Sequence, residues 1–260
     1  MVLAPGPIVK DAAIQAIADY QVENWWHAAR RQLLQRLLDE GLATGRNTAL
    51  DLGCGPGSIL PLLRTSGFHT VIGLDRSEKT LHLVQASQPD VALTCSDAAV
   101  LPIADESVDA VTILGVLCHS WIHDERAVLS EVMRILRPGG VLCVTEPAFP
   151  SLTRAADRLV MSVRRYSPGE MTGIAESCGL RCLRDGHFAA WAFPAAWMLA
   201  RVDKWRNSRE AEELPLDLRP LPQFLNRVLY GISRLEVAAI RRGIRFPFGV
   251  TFFGLYRKPI

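Results

Sequence analysis

Residues Thr48 to Ser58, TALDLGCGPGS, set a short apolar run against three glycines at alternate positions, Gly53, Gly55 and Gly57. Such a run reads as a buried strand that turns sharply into a helix, because glycine both turns tightly and lets a ligand approach the backbone. Strand-length apolar runs recur at Thr70–Asp75 (TVIGLD), Val91–Asp97 (VALTCSD), Val108–Gly115 (VDAVTILG) and Gly140–Pro147 (GVLCVTEP). Helical patterns separate most of them, as at Ser77–Ser87 and at Asp124–Leu136, the latter closed by RPGG. Continuous apolar strands alternating with helices predict an α/β fold with a parallel sheet covered on both faces.

The flanks read differently. Residues about 10 to 40 read as helix, with Val22, Trp26, Ala29, Leu33 and Leu37 at three- and four-residue spacing and Gly41 as the stop. After Pro147 a helix is expected with Leu152, Ala155, Leu159 and Val163 on one face, then a second one with Ser167 as N-cap and Pro168 in its first turn. A sixth strand falls within Leu180–Trp191, followed by an apolar segment from Phe193 to Trp205, a polar linker Arg206–Pro222, a helix Phe224–Arg242 and a last strand in FGVTFFGLYRK.

A chain of 260 residues, 49% hydrophobic, is enough for one large core, and a single domain over 1–260 is expected. Within it, 1–45 forms a helical lid, 46–150 a ligand-binding core and 151–260 a substrate-side region with an insertion at 192–245. A formal charge of +2 with interspersed charges lacks the basic footprint of a nucleic-acid binder. The start lacks a leader pattern and no apolar run approaches bilayer length, which reads as a cytoplasmic protein. Six cysteines without a C-x-x-C pair read as reduced, packed thiols, and no metal site is expected.

The glycine spacing bears on the ligand. A dinucleotide fingerprint needs glycine at the first, third and sixth positions, and here the sixth is Ser58; no Lys-Ser or Lys-Thr pair follows for a nucleoside triphosphate loop. Asp51, just before the turn, repels a pyrophosphate but suits an ammonium group. Asp75 ends the second strand, where a carboxylate accepts two ribose hydroxyls, and Asp97 ends the third, where it takes an adenine amino group. A ligand with an amino-acid end, a ribose, an adenine and no phosphate is S-adenosylmethionine.

With LDLGCGPGS, VIGLD, SDAAVLPIADESVDAV and EVMRILRPGGVLCVTEP in this order, the chain resembles the class I S-adenosylmethionine-dependent methyltransferases over about Ala49 to Pro147. The resemblance implies a Rossmann-like seven-stranded sheet with an antiparallel last strand. It also implies cofactor contacts at Asp51, Gly53, Cys54, Gly55, Gly57, Asp75, Arg76, Asp97, Ala98 and Gly115. On the N-terminal helix, Trp26 offers an aromatic face to the sulfonium and Arg30, one turn on, a partner for the cofactor carboxylate; the other reading is core packing.

ENWWHAARRQLLQRLL, EPAF, RRYSPGEM and the closing FGVT to RKP also resemble a bacterial methyltransferase group acting in lipid, sugar or secondary-metabolite pathways. Relatives in that group carry a histidine four residues before the tyrosine of RRY, where this chain has Ser162; the aspartate nine residues before it is kept as Asp157. Candidate catalytic groups are therefore His119, after the fourth strand, with Asp157 and Tyr166. Their bland readings are a rim histidine, a surface partner of Arg154 and a packing tyrosine.

The function expected is methyl transfer to a small, largely apolar metabolite, with Trp191, Phe193, Trp197 and Trp205 as candidate pocket aromatics. The alternatives are cyclisation of the cofactor's own aminobutyrate chain with release of methylthioadenosine, and a cofactor-binding partner protein without catalysis. Arg227, Arg234, Arg241 and Arg242 beside Phe193–Leu199 read first as a solvated face and second as a contact for an anionic membrane.

Overall fold

A computed structural model describes residues 18–21, 24–42, 45–205 and 221–260. The strands are β1 (Thr48–Leu52), β2 (Thr70–Asp75), β3 (Ala92–Cys95), β4 (Val108–Leu114), β5 (Leu136–Pro147), β6 (Arg181–Phe188) and β7 (Thr251–Arg257). They form one sheet of order β3-β2-β1-β4-β5-β7-β6, parallel from β3 to β5, with β7 antiparallel to both neighbours. This is the expected Rossmann-like sheet with its antiparallel last strand. The order reverses between β1 and β4, so a crevice opens at their carboxyl ends.

The helices are α1 (Trp25–Gly41), α2 (Leu60–Thr65), α3 (Glu78–Ser87), α4 (Glu125–Ile135), α5 (Ala155–Leu159), α6 (Glu170–Ser177), α7 (Phe193–Trp205) and α8 (Gln223–Arg241). The period-two alternation of the strands divides the core. Leu50, Leu52, Val111, Ile113, Leu142 and Val144 point to the face covered by α4, through Val128, Leu129 and Val132. Ala49, Ala110 and Cys143 point to the other, where Leu33, Leu34, Leu37 and Leu38 of α1 and Val237 and Ile240 of α8 pack. That second face also carries Val141, Phe253 and Leu255, and α1 lies against β5 and β7, where Gly41 meets Val141 and Leu255.

Local capping chemistry sets several helix starts. Asn24, Ser77 and Asp124 each accept a backbone N–H in the first turn of α1, α3 and α4. Asn24 has extended backbone, so α1 begins there rather than continuing a single helix from about residue 10; residues 1–17 and Val22 lie outside the described residues, as does 206–220 of the linker.

Three other expectations differ. No single helix runs from Leu152 to Val163: a 3-10 turn at Pro150–Leu152 and the short α5 replace it, Met161 takes a φ of 56°, and Val163 is exposed. Ser167 is not the N-cap of α6; Gly169, with φ 78°, holds that place, and Glu170 folds back to accept the Ser167 N–H. β5 begins at Leu136, so RPGG is part of the strand, as an irregularity opposite Val108–Ala110.

Candidate active site

The carboxyl ends of β1 to β4 surround a cleft that opens to solvent, the usual position for a small-molecule site in such a sheet. Arg30, Asp51, Gly53, Cys54, Gly55, Asp75, Arg76, Asp97, Ala98, Gly115 and His119 all line it.

The glycine turn is built from both sides. Gly53 has a φ of 73°, and a Cβ there would meet Val116 Cγ2 at 2.4 Å, so the turn passes directly beneath the β4 loop. Gly55 opens toward empty space, and its N–H donates to Asp75 Oδ2 at 2.9 Å. The other Asp75 oxygen accepts the Ser77 N–H at 2.9 Å, so this carboxylate joins the turn to the start of α3. Asp97 similarly accepts the Ala99 N–H.

At the floor of the cleft Asp51 is 2% exposed and accepts a hydrogen bond from Thr112 Oγ1 at 2.6 Å. Burial pushes its pKa up to about 6, opposed by the Thr112 bond and the charge of Arg30, so it is ionised at neutral pH. Arg30 reaches the same floor from α1. Desolvation lowers its pKa to about 10, which leaves it charged. Its Nη2 donates to Nδ1 of His27, held neutral by burial and by neighbouring arginines, while its Nε is buried without a partner. A carboxylate and a guanidinium facing one enclosed space complement the ammonium and carboxylate of an α-amino acid.

The rim is aromatic. The His119 ring stacks on Trp121 with centroids 4.2 Å apart, and the Arg76 guanidinium lies 5.2 Å from the same indole. Burial lowers the His119 pKa, so the ring is neutral, and its Nδ1 is buried without a partner.

Four of the expected site residues lie off the cleft wall. Trp26 covers the Arg30 guanidinium, 4.6 Å from its ring centre, so its cation partner in this structure belongs to the protein. Gly57 faces away, where a Cβ would press on Val84 and Leu60 at 3.0 and 3.1 Å. Asp157 forms a two-point ion pair with Arg165 and accepts the Arg154 N–H, while the Arg154 side chain turns to Asp203. Tyr166 is fully buried, with its hydroxyl on Glu125. The pocket aromatics are placed differently too: Trp191 packs on Trp25 and bonds Ser233, Phe193 packs on Phe149 and Phe248, and Trp197 and Trp205 are exposed.

Sequence reasoning missed Glu146. It is 1% exposed at the end of β5 and accepts the N–H groups of Val116, Leu117 and Cys118 at 2.9, 2.9 and 3.2 Å, so it shapes the loop that carries Gly115 and His119. The signal was a carboxylate inside an otherwise apolar strand. Thr112 carried a similar one within VDAVTILG. Among the described residues no group of three His, Cys, Asp or Glu is placed to hold a metal ion, and the six cysteines are free.

The profile of a methyltransferase domain matches residues 50–144. A Mycolicibacterium smegmatis protein named "Probable S-adenosylmethionine-dependent methyltransferase" is 33% identical over 175 residues, 66% of this chain but only 65% of that protein's length. The trans-aconitate 2-methyltransferase of Azoarcus sp. strain BH72 is 32% identical over 70% of this chain and 67% of its own. Among solved structures, the methyltransferase bound to the Trm112 activator of Haloferax volcanii superposes with a TM-score of 0.61 at 20% identity, over 96% of this chain and 95% of that one, a likeness of fold. Matches of this extent, on a sheet of this order, place the chain in the class I S-adenosylmethionine-dependent methyltransferase family, to which it belongs.

Proposed function

We propose that the protein transfers the methyl group of S-adenosylmethionine to a small, largely apolar metabolite. The observation that carries this reading is the buried Asp51 and Arg30 beside the carboxylates Asp75 and Asp97, a set of partners for an amino acid joined to a nucleoside and without a phosphate partner. Asp51 takes the ammonium, Arg30 the carboxylate, Asp75 the ribose hydroxyls and Asp97 the adenine amino group, while Gly53, Gly55 and Gly115 allow close backbone approach. When bound, S-adenosylmethionine supplies a methyl group already activated by its positive sulfur.

What remains for the protein is to orient the acceptor, exclude water and take a proton. His119 suits proton removal, because it lines the cleft, is neutral and is fixed by stacking on Trp121. Ser162, at the position where the resembling group has histidine, forms a backbone bridge with His119, which supports a base displaced to the opposite side of the same contact. His119→Gln is expected to lower the turnover of a hydroxyl acceptor by roughly 100-fold or more while leaving cofactor affinity nearly unchanged. The test is a metabolite screen followed by mass spectrometry of the cofactor product. S-adenosylhomocysteine formed only with an acceptor supports methyl transfer, whereas methylthioadenosine formed from cofactor alone overturns it in favour of cyclisation.

Binding should also depend on pH. Protonation of Asp51 removes the charge that holds the ammonium, so affinity is highest above its pKa of about 6. Below that value the dissociation constant is expected to rise about tenfold per pH unit. Calorimetric titration across this range checks the slope, and Asp51→Asn should bind weakly with no such slope.

A further inference from the structure

The outer face of α8 is not needed by the proposed reaction, and its composition is unusual for a surface in water. The inner face is firmly held: Val237 and Ile240 pack in the core shared with α1, Asn226 accepts the Trp25 N–H at 2.8 Å, and Ser233 accepts Trp191 Nε1–H. Outward, Phe224 is 80% exposed and Leu235 73%, with Val228 between them on the same line. Arg227, Arg234 and Arg241, each seven residues apart, form an adjacent line. The single carboxylate of the helix, Glu236, points inward and accepts the Ala190 N–H. Among the described residues none of Arg227, Arg234, Arg241 and Arg242 is paired with an acid.

The segment leading into α7 is tied to the inner face of α8. The helix α7 starts directly after the 3-10 turn Ala190–Ala192, which is bonded to α8 through Trp191 and Ala190. On α7, Met198 is 61% exposed and Trp205 85%, and the acid of this helix, Asp203, is tied to Arg154. On the outer face of α8, Phe224, Val228 and Leu235 beside unpaired arginines, with no exposed acid on that helix, match an anionic layer over an apolar one. A second copy of the chain fits poorly, because a two-fold contact places the same unpaired arginines in one desolvated interface.

We propose that the outer face of α8 docks on the headgroup region of an anionic membrane. Arginine binds lipid phosphates with paired hydrogen bonds, while Phe224 and Leu235 enter the acyl boundary. Contact is superficial: among the described residues no helix is long and apolar enough to cross a membrane.

The test is flotation of the full chain with phosphatidylcholine vesicles and with vesicles that also contain phosphatidylglycerol, at low and high salt. Binding is expected only to the phosphatidylglycerol vesicles and should fall steeply with salt. Replacing Arg227, Arg234 and Arg241 together by Gln should reduce the partition coefficient roughly 100-fold, at about fivefold per arginine. Phe224→Ser with Leu235→Ser should also weaken it, both variants keeping the wild-type circular dichroism and cofactor affinity. No flotation with the anionic vesicles, or equal flotation with both kinds, overturns the proposal. So does a wild-type dimer in light scattering that Leu235→Ser dissociates, which assigns the face to a second copy. If a variant fails to fold, the lipid and salt dependence of the wild type decides.

Discussion

Asp75→Ala is expected to raise the dissociation constant for S-adenosylmethionine by about 100-fold or more. Two hydrogen bonds from ribose hydroxyls to an ionised carboxylate contribute about 1.5–3 kcal/mol each, and this side chain has a second role. Its oxygens hold the Gly55 and Ser77 N–H groups, so the truncation also loosens the glycine turn before any ligand arrives. Asp75→Asn keeps an acceptor oxygen but places an amide N–H against one of those two donors, and an intermediate loss is expected. Calorimetry on variants with unchanged circular dichroism measures the effect. A loss below tenfold for the alanine variant would show that the ribose is held elsewhere.

Glu146→Ala should have the largest effect on stability. It strips three buried N–H groups of their acceptor at once, each costing about 1–3 kcal/mol, which for a chain of this size corresponds to a melting temperature lower by roughly 10 °C. The freed loop carries Gly115 and His119, so cofactor affinity and turnover fall together.

The burial of this carboxylate also has a pH signature. Burial raises its pKa from 4.5 to about 7, against the pull of the three N–H donors. The folded state therefore binds its proton more tightly than the unfolded state. The resulting stabilisation is complete below the unfolded value and is lost as pH rises through about 7. Glu146→Gln cannot titrate. Its melting temperature should lie between those of wild type and Glu146→Ala, and this part of the pH dependence should disappear. Thermal melts across the range read both effects.

The arrangement of the strands was legible because it is written in short-range patterns. Apolar runs of strand length, the glycine turn and the capping residues Ser77 and Asp124 act within a few positions of one another; Asp75 ends β2 as expected, whereas Asp51 lies one residue inside the end of β1 and Asp97 two residues past the end of β3. The C-terminal half was less legible. Leu152, Ala155, Leu159 and Val163 carry helical spacing, but the chain there is drawn into bridges with His119 and with Ala148, and long-range pairing overrode local propensity. Ser167 has the chemistry of an N-cap, yet the left-handed Gly169 two residues later starts the helix.

For the site, sequence alone determined which residues lie near the strand ends and turn between them, and hence that an amino-acid nucleoside fits where a dinucleotide does not. Tertiary structure decided the rest. Arg30 faces Asp51 only because α1 packs across β5 and β7 on one face of the sheet. Glu146 finds its three donors about thirty positions away along the chain. Asp157 and Tyr166 are directed to Arg165 and Glu125 instead of the cleft. The arginines of α8 lie beside exposed Phe224 and Leu235 because the opposite face of that helix is occupied by α1. Spacing along a strand or a helix is local and can be read in one dimension, whereas the partner of a buried charge is set by how separate elements pack, which no single segment encodes.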